Sequence, residues 1–501
     1  MKKILLIITL LGFMSDVSQS QEYFQKEYNH PYLNYLSSFS DLVQNKDSTY
    51  VGLFWAIDNN NRNNNIRVAK IDKKGNVLWS KQYKANGFDA NAFKIKKFNN
   101  DYLIVGEFHV RDSVLRTTKS FVLKINNNGD SLWLKEYKFP SIWTEAINII
   151  QLSDKKILSC GYTVSFKKVG TEYQEQPWRA FIIKTDSLGN IIWQKEYGDD
   201  SHSEVPSSMI ELPNNDILLA GRSVSGENFD IALMTMRIDT NGNLKWMRSY
   251  GSDGINEAFT KISQAKGGKF ILSGAYGTPW VSTGNGGIVA KMDENGEMLW
   301  LKKFSKETEG LTYDAGHTEN KEGYITVAGI NHKDNDIGIA QFDSAGIFKW
   351  FRRYDIHTKS DEQVNGIIHT LDDGFAMFGH GLSYTRNNDQ GWLLKMDKYG
   401  CLVKGCEGMI GVDNVPSQKH ELVIFPNPSD GVANIKWNLG EQFVKGELKI
   451  IDIRGQILHS FQLETASGEY STNELNLASG IYFVKLHTLQ DDLTTKIIIS
   501  R

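Results

Sequence analysis

Seven times the chain begins one pattern, and six times it completes it: Asp or Asn, two residues, Gly, three residues, Trp, one residue, Lys or Arg, one residue, Tyr or Phe. The complete copies are Asp72-Gly75-Trp79-Lys81-Tyr83, Asn126-Gly129-Trp133-Lys135-Tyr137, Asp186-Gly189-Trp193-Lys195-Tyr197, Asp239-Gly242-Trp246-Arg248-Tyr250, Asp293-Gly296-Trp300-Lys302-Phe304 and Asp343-Gly346-Trp350-Arg352-Tyr354. The seventh has Asp397 and Gly400, then departs into Cys401-Leu402-Val403. Successive glycines stand 50 to 60 residues apart, a period that suits one four-stranded unit of a repeat array.

Each unit decomposes physically. A turn that opens with Asp and closes with Gly suits a hairpin, because Gly has no Cβ and tolerates positive φ. Upstream lie alternating apolar stretches such as Ala180 to Lys184, whose period near two fits a strand. Further upstream a second apolar run ends in glycine at Gly106, Gly161, Gly221 and Gly274. Before each run come a short polar turn and a first strand, as in Glu204 to Leu212. Four strands per repeat and seven repeats predict an all-β fold, a seven-bladed β-propeller. The hairpin is also similar to the tryptophan-docking repeat of quinoprotein-type propellers; that local resemblance supports the propeller and does not extend to the cofactor.

The unfinished seventh copy finds its missing strand at the other end of the chain. Phe24-Gln25-Lys26-Glu27-Tyr28 matches Trp193-Gln194-Lys195-Glu196-Tyr197 at four of five positions. The N-terminal strand is therefore expected to complete the last blade, closing the ring and removing unpaired sheet edges. This bounds the propeller at residues 21–405.

Residues 1–20 read as a signal peptide: Lys2 and Lys3 precede an apolar run from Ile4 to Met14, and Ser18-Gln19-Ser20 offers small residues for cleavage. The run is too short for a spanning helix, so no transmembrane segment is expected in the mature chain. The formal net charge of -3 argues against nucleic acid as a partner. Cys160 lies in an apolar strand and reads as a buried thiol. Cys401 and Cys406 flank a short loop, and spacing alone leaves open whether they are bridged.

After Cys406 the period stops. Residues 406–420 read as a linker. Residues 421–501 show short alternating strands, as expected for a small C-terminal β-sandwich. Its ordered motifs are Phe425-Pro426-Asn427-Pro428 with Gly431, the turn Asp452-Ile453-Arg454-Gly455, the stretch Ser479-Gly480-Ile481-Tyr482-Phe483-Val484-Lys485, and the ending Lys496-Ile497-Ile498-Ile499-Ser500-Arg501. Together these resemble the type A C-terminal sorting domain of the type IX secretion system. The resemblance implies Pro426, Asn427, Pro428, Gly431, Gly480, Tyr482 and Lys485 as the sorting motif. It further implies the type IX machinery as partner, and release or anchoring at the outer surface of a Gram-negative cell.

Two sets of residues on the propeller could carry function. The first is an acid near the start of each inner strand: Asp41, Asp89, Glu145, Glu204, Glu257, Asp314 and Glu362. Such a ring could hold a cation or supply a carboxylate pair for glycoside hydrolysis. The preferred reading is structural: each acid caps backbone N–H groups at a blade junction, a task every blade shares, whereas catalysis would break the symmetry. The repeated third-strand bases Lys70, Lys124, Lys184, Arg237, Lys291 and Lys395, with Gln341 in repeat six, read as packing for the same reason. The second set is aromatic and breaks the period: Trp143, Trp178 and Trp280. Strand alternation places these on the face opposite the Asp-x-x-Gly turns, where loops vary and a glycan or protein ligand could bind.

No nucleophile elbow, zinc-protease motif, phosphate loop or paired Cys-x-x-Cys is present. Accordingly no catalytic residue, metal ligand or cofactor is assigned, and His317 and His380 read as ordinary polar residues. The sequence points to a secreted or surface-anchored propeller used for binding or adhesion. The alternative is a secreted hydrolase, acting on glycan or peptide, with its site at the channel mouth.

Overall fold

The structure is a computed structural model. It describes residues 22–500 apart from 29–36, 58–63, 84–88, 111–116, 170–171, 226–229, 252–254, 278–285, 306–310, 312, 332–335, 357–361, 384–387, 405, 407–420, 440–445, 466 and 489–491. The signal-peptide expectation, nearly all of the linker and Trp280 lie outside the described residues. The chain divides into two compact units, Met1–Asp413 and Asn414–Arg501.

The described residues of the first unit form seven four-stranded antiparallel sheets and one two-stranded hairpin. The inner strands of sheets one to seven are Ser37–Gln44, Asp89–Phe98, Trp143–Gln151, His202–Glu211, Asn256–Gln264, Tyr313–Glu319 and Glu362–His369. Each touches the next, and Glu362–His369 touches Ser37–Gln44, so the sheets close into a ring. Every inner strand carries one unpaired bulge residue: Ser40, Phe93, Ile147, Ser207, Thr260, Ala315 and Asn365. The bulge drives a carbonyl over the second strand, and this explains the glycine that ends each second apolar run. A Cβ on Gly161 would lie 1.8 Å from the Glu145 carbonyl oxygen.

The repeated pattern is an interlocking clasp between sheets. In the turn, Asp186 Oδ1 accepts the N–H groups of Leu188 and Asn190 at 2.9 and 2.8 Å, and Gly189 adopts φ +79°. The preceding sheet then grips the turn. A Cβ on Gly189 would sit 3.0 Å from the Trp133 ring, and the Tyr137 hydroxyl donates to the Gly189 carbonyl at 2.9 Å. Tyr83, Tyr197, Tyr250 and Tyr354 repeat this bond to Gly129, Gly242, Gly296 and Gly400. Phe304 has no hydroxyl to offer. Each such bond contributes on the order of 1 kcal/mol, and the cations of Lys81, Lys195, Arg248 and Arg352 over their tryptophans add less. The third-strand bases extend the clasp: Arg237 pairs with Asp216 of its own sheet at 2.7 Å and donates to the Glu294 carbonyl of the next at 2.7 Å.

The same chemistry joins the two ends of the ring. Phe24–Tyr28 pairs antiparallel with Asn388–Met396 as the outer strand of sheet seven. Phe24 and Lys26 stand against Gly75, and the Tyr28 hydroxyl donates to the Gly75 carbonyl at 3.0 Å. Phenylalanine thus fills the place tryptophan holds elsewhere. The chain leaves the seventh turn through Cys401, which is bonded to Cys406 with Cα atoms 5.7 Å apart.

The second unit is a sandwich of two sheets. One contains Glu421–Phe425, Asn434–Asn438 and Ser467–Ser471; the other Ile457–Leu463, Gly446–Asp452, Gly480–Thr488 and Asp492–Ile499. Its core includes Ile435, Trp437, Leu448, Ile450, Val484, Leu486 and Ile497. Asn427, between Pro426 and Pro428, acts as a substitute strand: its side chain donates to the Lys496 carbonyl at 2.6 Å and accepts from the Ile498 N–H at 2.9 Å. Gly431 has φ +138°, Gly480 opens its strand, the Tyr482 hydroxyl donates to the Ala478 carbonyl at 2.9 Å, and Lys485 is exposed.

Candidate functional site

Inner strands begin, and second strands end, on the face opposite the clasped turns. At this end the residue following the second-strand glycine is Glu107, Tyr162, Arg222, Ala275, Ile330 or His380 in sheets two to seven. Trp55 holds the equivalent place in sheet one. Their partners across the strand pair are Ser38, Asn91, Glu145, Val205, Ala258, Tyr313 and Gln363, in ring order. Sheets five and six are apolar or aromatic here. Sheets seven, one, two and three, with Arg222 of sheet four, carry the polar groups.

Several of these groups are in contact. His380 Nδ1 lies 2.9 Å from Ser38 Oγ. Trp55 Nε1 donates to Asn91 Oδ1 at 3.0 Å, and Asn91 Nδ2 donates to Glu107 Oε1 at 3.0 Å. His109 Nε2 stands 2.8 Å from the same carboxylate oxygen. In sheet three the Tyr162 hydroxyl donates to Glu145 Oε2 at 2.5 Å, and the Tyr162 ring stacks on Trp178 with centroids 4.8 Å apart and planes 10° from parallel.

The electrostatics follow from burial. Glu145 is pushed up to about 7, first by burial and then by the charge of Glu107, against the pull of Tyr162, His109 and Arg222. The hydrogen bond to Glu107 raises His109. Tyr162 is raised by burial and by Glu145. Glu204 is also pushed up to about 7 by burial: Oε1 accepts from Ser223 at 3.0 Å, while Oε2 is enclosed without a hydrogen-bond partner among the described residues. Its backbone N–H donates to the Trp178 carbonyl at 2.8 Å. A carboxyl that is neutral near neutral pH can donate as well as accept a hydrogen bond.

Of the aromatics singled out in the sequence, Trp143 and Trp178 both belong to sheet three. They flank its projecting hairpin, Phe166–Val169 paired with Glu172–Glu175. Trp143 packs edge-on to Phe166 at 5.7 Å, and Trp178 Nε1 donates to Glu175.

The seven acids do not share one register position. Relative to the bulge, Glu204, Glu257 and Glu362 share a register position, Glu145 stands one residue further along, Asp314 two further, Asp89 one earlier and Asp41 beyond the bulge. Because side chains alternate along a strand, unequal offsets give the described acids different surroundings. Asp41 accepts the Ile95 N–H of the neighbouring sheet at 2.9 Å, Glu362 accepts the Ile356 N–H at 2.9 Å, and Glu257 pairs with Lys303. Glu145 meets Trp178 through Tyr162, and Glu204 meets it through its backbone N–H.

Asn91, Glu107, His109, Tyr162 and Arg222 went unnoticed in the sequence. The signal of the last four is the position just after, or near, the second-strand glycine, where the copies disagree; Asn91 is found only by its pairing with Glu107. His317 is fully buried between Ser263 and Ser273 and held well below the usual histidine range by burial, while burial brings His380 down to about 4.

Residues 423–500 match the family described as the secretion system C-terminal sorting domain. The second unit is a type IX sorting domain. The chain is therefore exported, to be released or held at the outer surface of a Gram-negative cell. No curated protein matches the sequence. Among solved structures, Pyrococcus horikoshii acylaminoacyl peptidase shares 9% identity at a TM-score of 0.39, over 80% of this chain and 58% of that one. The β-propeller domain of the Trilobed protease from Pyrococcus furiosus shares 11% at 0.38, over 75% and 98%. The Bombyx mori GH32 beta-fructofuranosidase BmSUC1 shares 11% at 0.33, over 82% and 86%. This sorting-domain protein thus spans little more than half of the peptidase's length, and similarity at this level says nothing of its activity.

Proposed function

We propose that the exported propeller is a carbohydrate-binding or adhesion module, with its ligand held over sheets two to four. The carrying observation is the Trp178–Tyr162 stack, joined through the Tyr162 hydroxyl to Glu145. A sugar offers apolar C–H faces to an aromatic platform and hydroxyls to carboxylates and amides, here Glu145, Glu107 and Asn91. Delivery to the cell exterior places such a module where glycans are met. The test is retention of polysaccharides and arrayed glycans on the secreted chain. Trp178→Ala and Glu145→Gln should each lower retention about tenfold, and unchanged retention in both would overturn the reading.

A second reading, glycan hydrolysis, is favoured by one observation: Glu145, pushed up to about 7, feels the charge of Glu107. Paired carboxyl groups in unlike environments can serve as acid and base. Under this reading Glu145→Gln abolishes product release while leaving retention intact, so one panel scored both ways separates the two.

A further inference from the structure

The two outward faces of the sorting domain differ. On the three-stranded sheet Ile435 and Trp437 point inward, and the outward positions Lys436, Asn438, Glu469 and Ser471 are polar, with Val423 and Phe425 on the edge strand. On the four-stranded sheet Leu448, Ile450, Val484, Leu486 and Ile497 already supply the core. The opposite face nevertheless carries a second apolar set: Ile451 pairs across to Ile457 on one side and Phe483 on the other, and Ile481 pairs with Ile498. These five side chains run across all four strands at one end of the sheet. Ile457 is 53% and Ile481 43% exposed. The other end of the same face is polar, with Glu447 and Lys449 ion-paired at 2.8 Å and Lys485 and His487 exposed.

We propose that this apolar end of the four-stranded sheet is the surface by which the secretion machinery grips the chain. A sorting domain acts by being recognised, so a protein partner follows from the family match itself. A contiguous apolar patch that the core does not need is the kind of surface such a partner covers. The exposed cations beside it, Lys485 and Lys496, specify the partner's chemistry: an apolar centre with an acidic rim. Lys496 lies directly opposite Phe483 in the strand pairing. The proposal concerns the second unit alone and stands apart from any ligand of the propeller.

The experiment expresses the full chain in a host with a working type IX system and measures the fraction reaching medium and cell surface. Ile457→Asp with Ile481→Asp should lower that fraction about tenfold, with periplasmic accumulation of chain that keeps its C-terminus, because a charge in the centre of an interface is left unpaired. Val423→Asp, equally exposed on the opposite sheet, should export within about twofold of the parent. Thermal melts of the purified chains check folding. Should the double variant melt low, Lys485→Glu with Lys496→Glu tests the rim and should also reduce export. Parental export of folded variants overturns the proposal, as does an equal loss with Val423→Asp. A parental dimer that the double variant dissociates while export persists would assign the face to a second copy of the chain, and would overturn it too.

Discussion

At one end of the propeller sheets, Tyr83, Tyr137, Tyr197 and Tyr354 make the same hydrogen bond to the glycine carbonyl of the neighbouring turn. At the other end, the equivalent positions after the second-strand glycines hold Glu107, Tyr162, Arg222, Ala275, Ile330 and His380, no two alike. Both ends are built on one ring of strands with one bulge per inner strand. Repetition marks what every sheet must do to hold its neighbour. Variation marks positions the ring does not need to hold itself together. Stability should therefore be concentrated at the turn end, and ligand contact at the other.

The largest expected effect is at the seam. Removing Phe24–Tyr28 strips sheet seven of its outer strand and leaves Gly75 without Phe24, Lys26 and Tyr28. Folded, soluble yield should fall to a small fraction of the parent, since the exposed edge of Asn388–Met396 invites aggregation. A soluble deletion with a cooperative, parental melt would break the view that the clasp closes the ring.

Next come the turn glycines, where the two units offer an internal control. Gly242 has φ +75°, and a Cβ there would lie 2.8 Å from the Trp193 ring. Gly455, in the sorting domain's own Asp-x-x-Gly turn, has φ +83° with open space around it. Gly242→Ala should cost about 2–4 kcal/mol, strain plus a displaced tryptophan, against about 1–2 kcal/mol of strain alone for Gly455→Ala. Equal losses by denaturant titration would mean that the tryptophan contact contributes nothing.

These same features explain what could be read without coordinates. The clasp was legible because Gly, Trp, the base and Tyr each have a physical task at fixed spacing, and because Phe24 to Tyr28 repeats that spacing out of place. The sorting domain was legible for a related reason: Asn427 must reach the edge of the last strand, so its loop is constrained. The register of the acids was not legible, because a carboxylate near a strand start has no spacing rule. Their register depends on the bulge, and a bulge leaves no residue signature: Ser40, Phe93, Ile147 and Asn365 share no chemistry. Glu107, Tyr162 and Arg222 were hidden in plain view, because only the paired register shows that they occupy one position.

A smaller effect concerns pH. Burial holds the folded Glu204 near 7, whereas an unfolded chain releases that proton near 4.5. Its contribution to stability is therefore complete below pH 4.5 and is lost as pH rises through 7. His380, down at about 4 in the fold, acts oppositely: its contribution is present above its ordinary value of 6.5 and is lost as pH falls towards 4. Glu204→Gln should remove the first trend and leave the second, so that stability between pH 4.5 and 7 climbs more steeply with pH than in the parent. An unchanged profile would mean that Glu204 is not held neutral.

The smallest structural change sharpens the comparison most. The charge of Arg222, on sheet four, acts on the Glu145–Tyr162 pair and favours the ionised carboxylate. It is a half-buried residue at a position that is Ala275 in sheet five and Ile330 in sheet six. Arg222→Ala should therefore cost less than about 1 kcal/mol of folding free energy. It should nonetheless move Glu145 further upward, because one of the charges opposing its neutral form is gone. The direct check is the titration of Glu145 by carboxyl-labelled NMR in parent and variant, with an upward shift expected. If the shift is absent and the melt falls by several kcal/mol, Arg222 serves the ring, and the division between a holding end and a binding end fails at the residue where it is easiest to test.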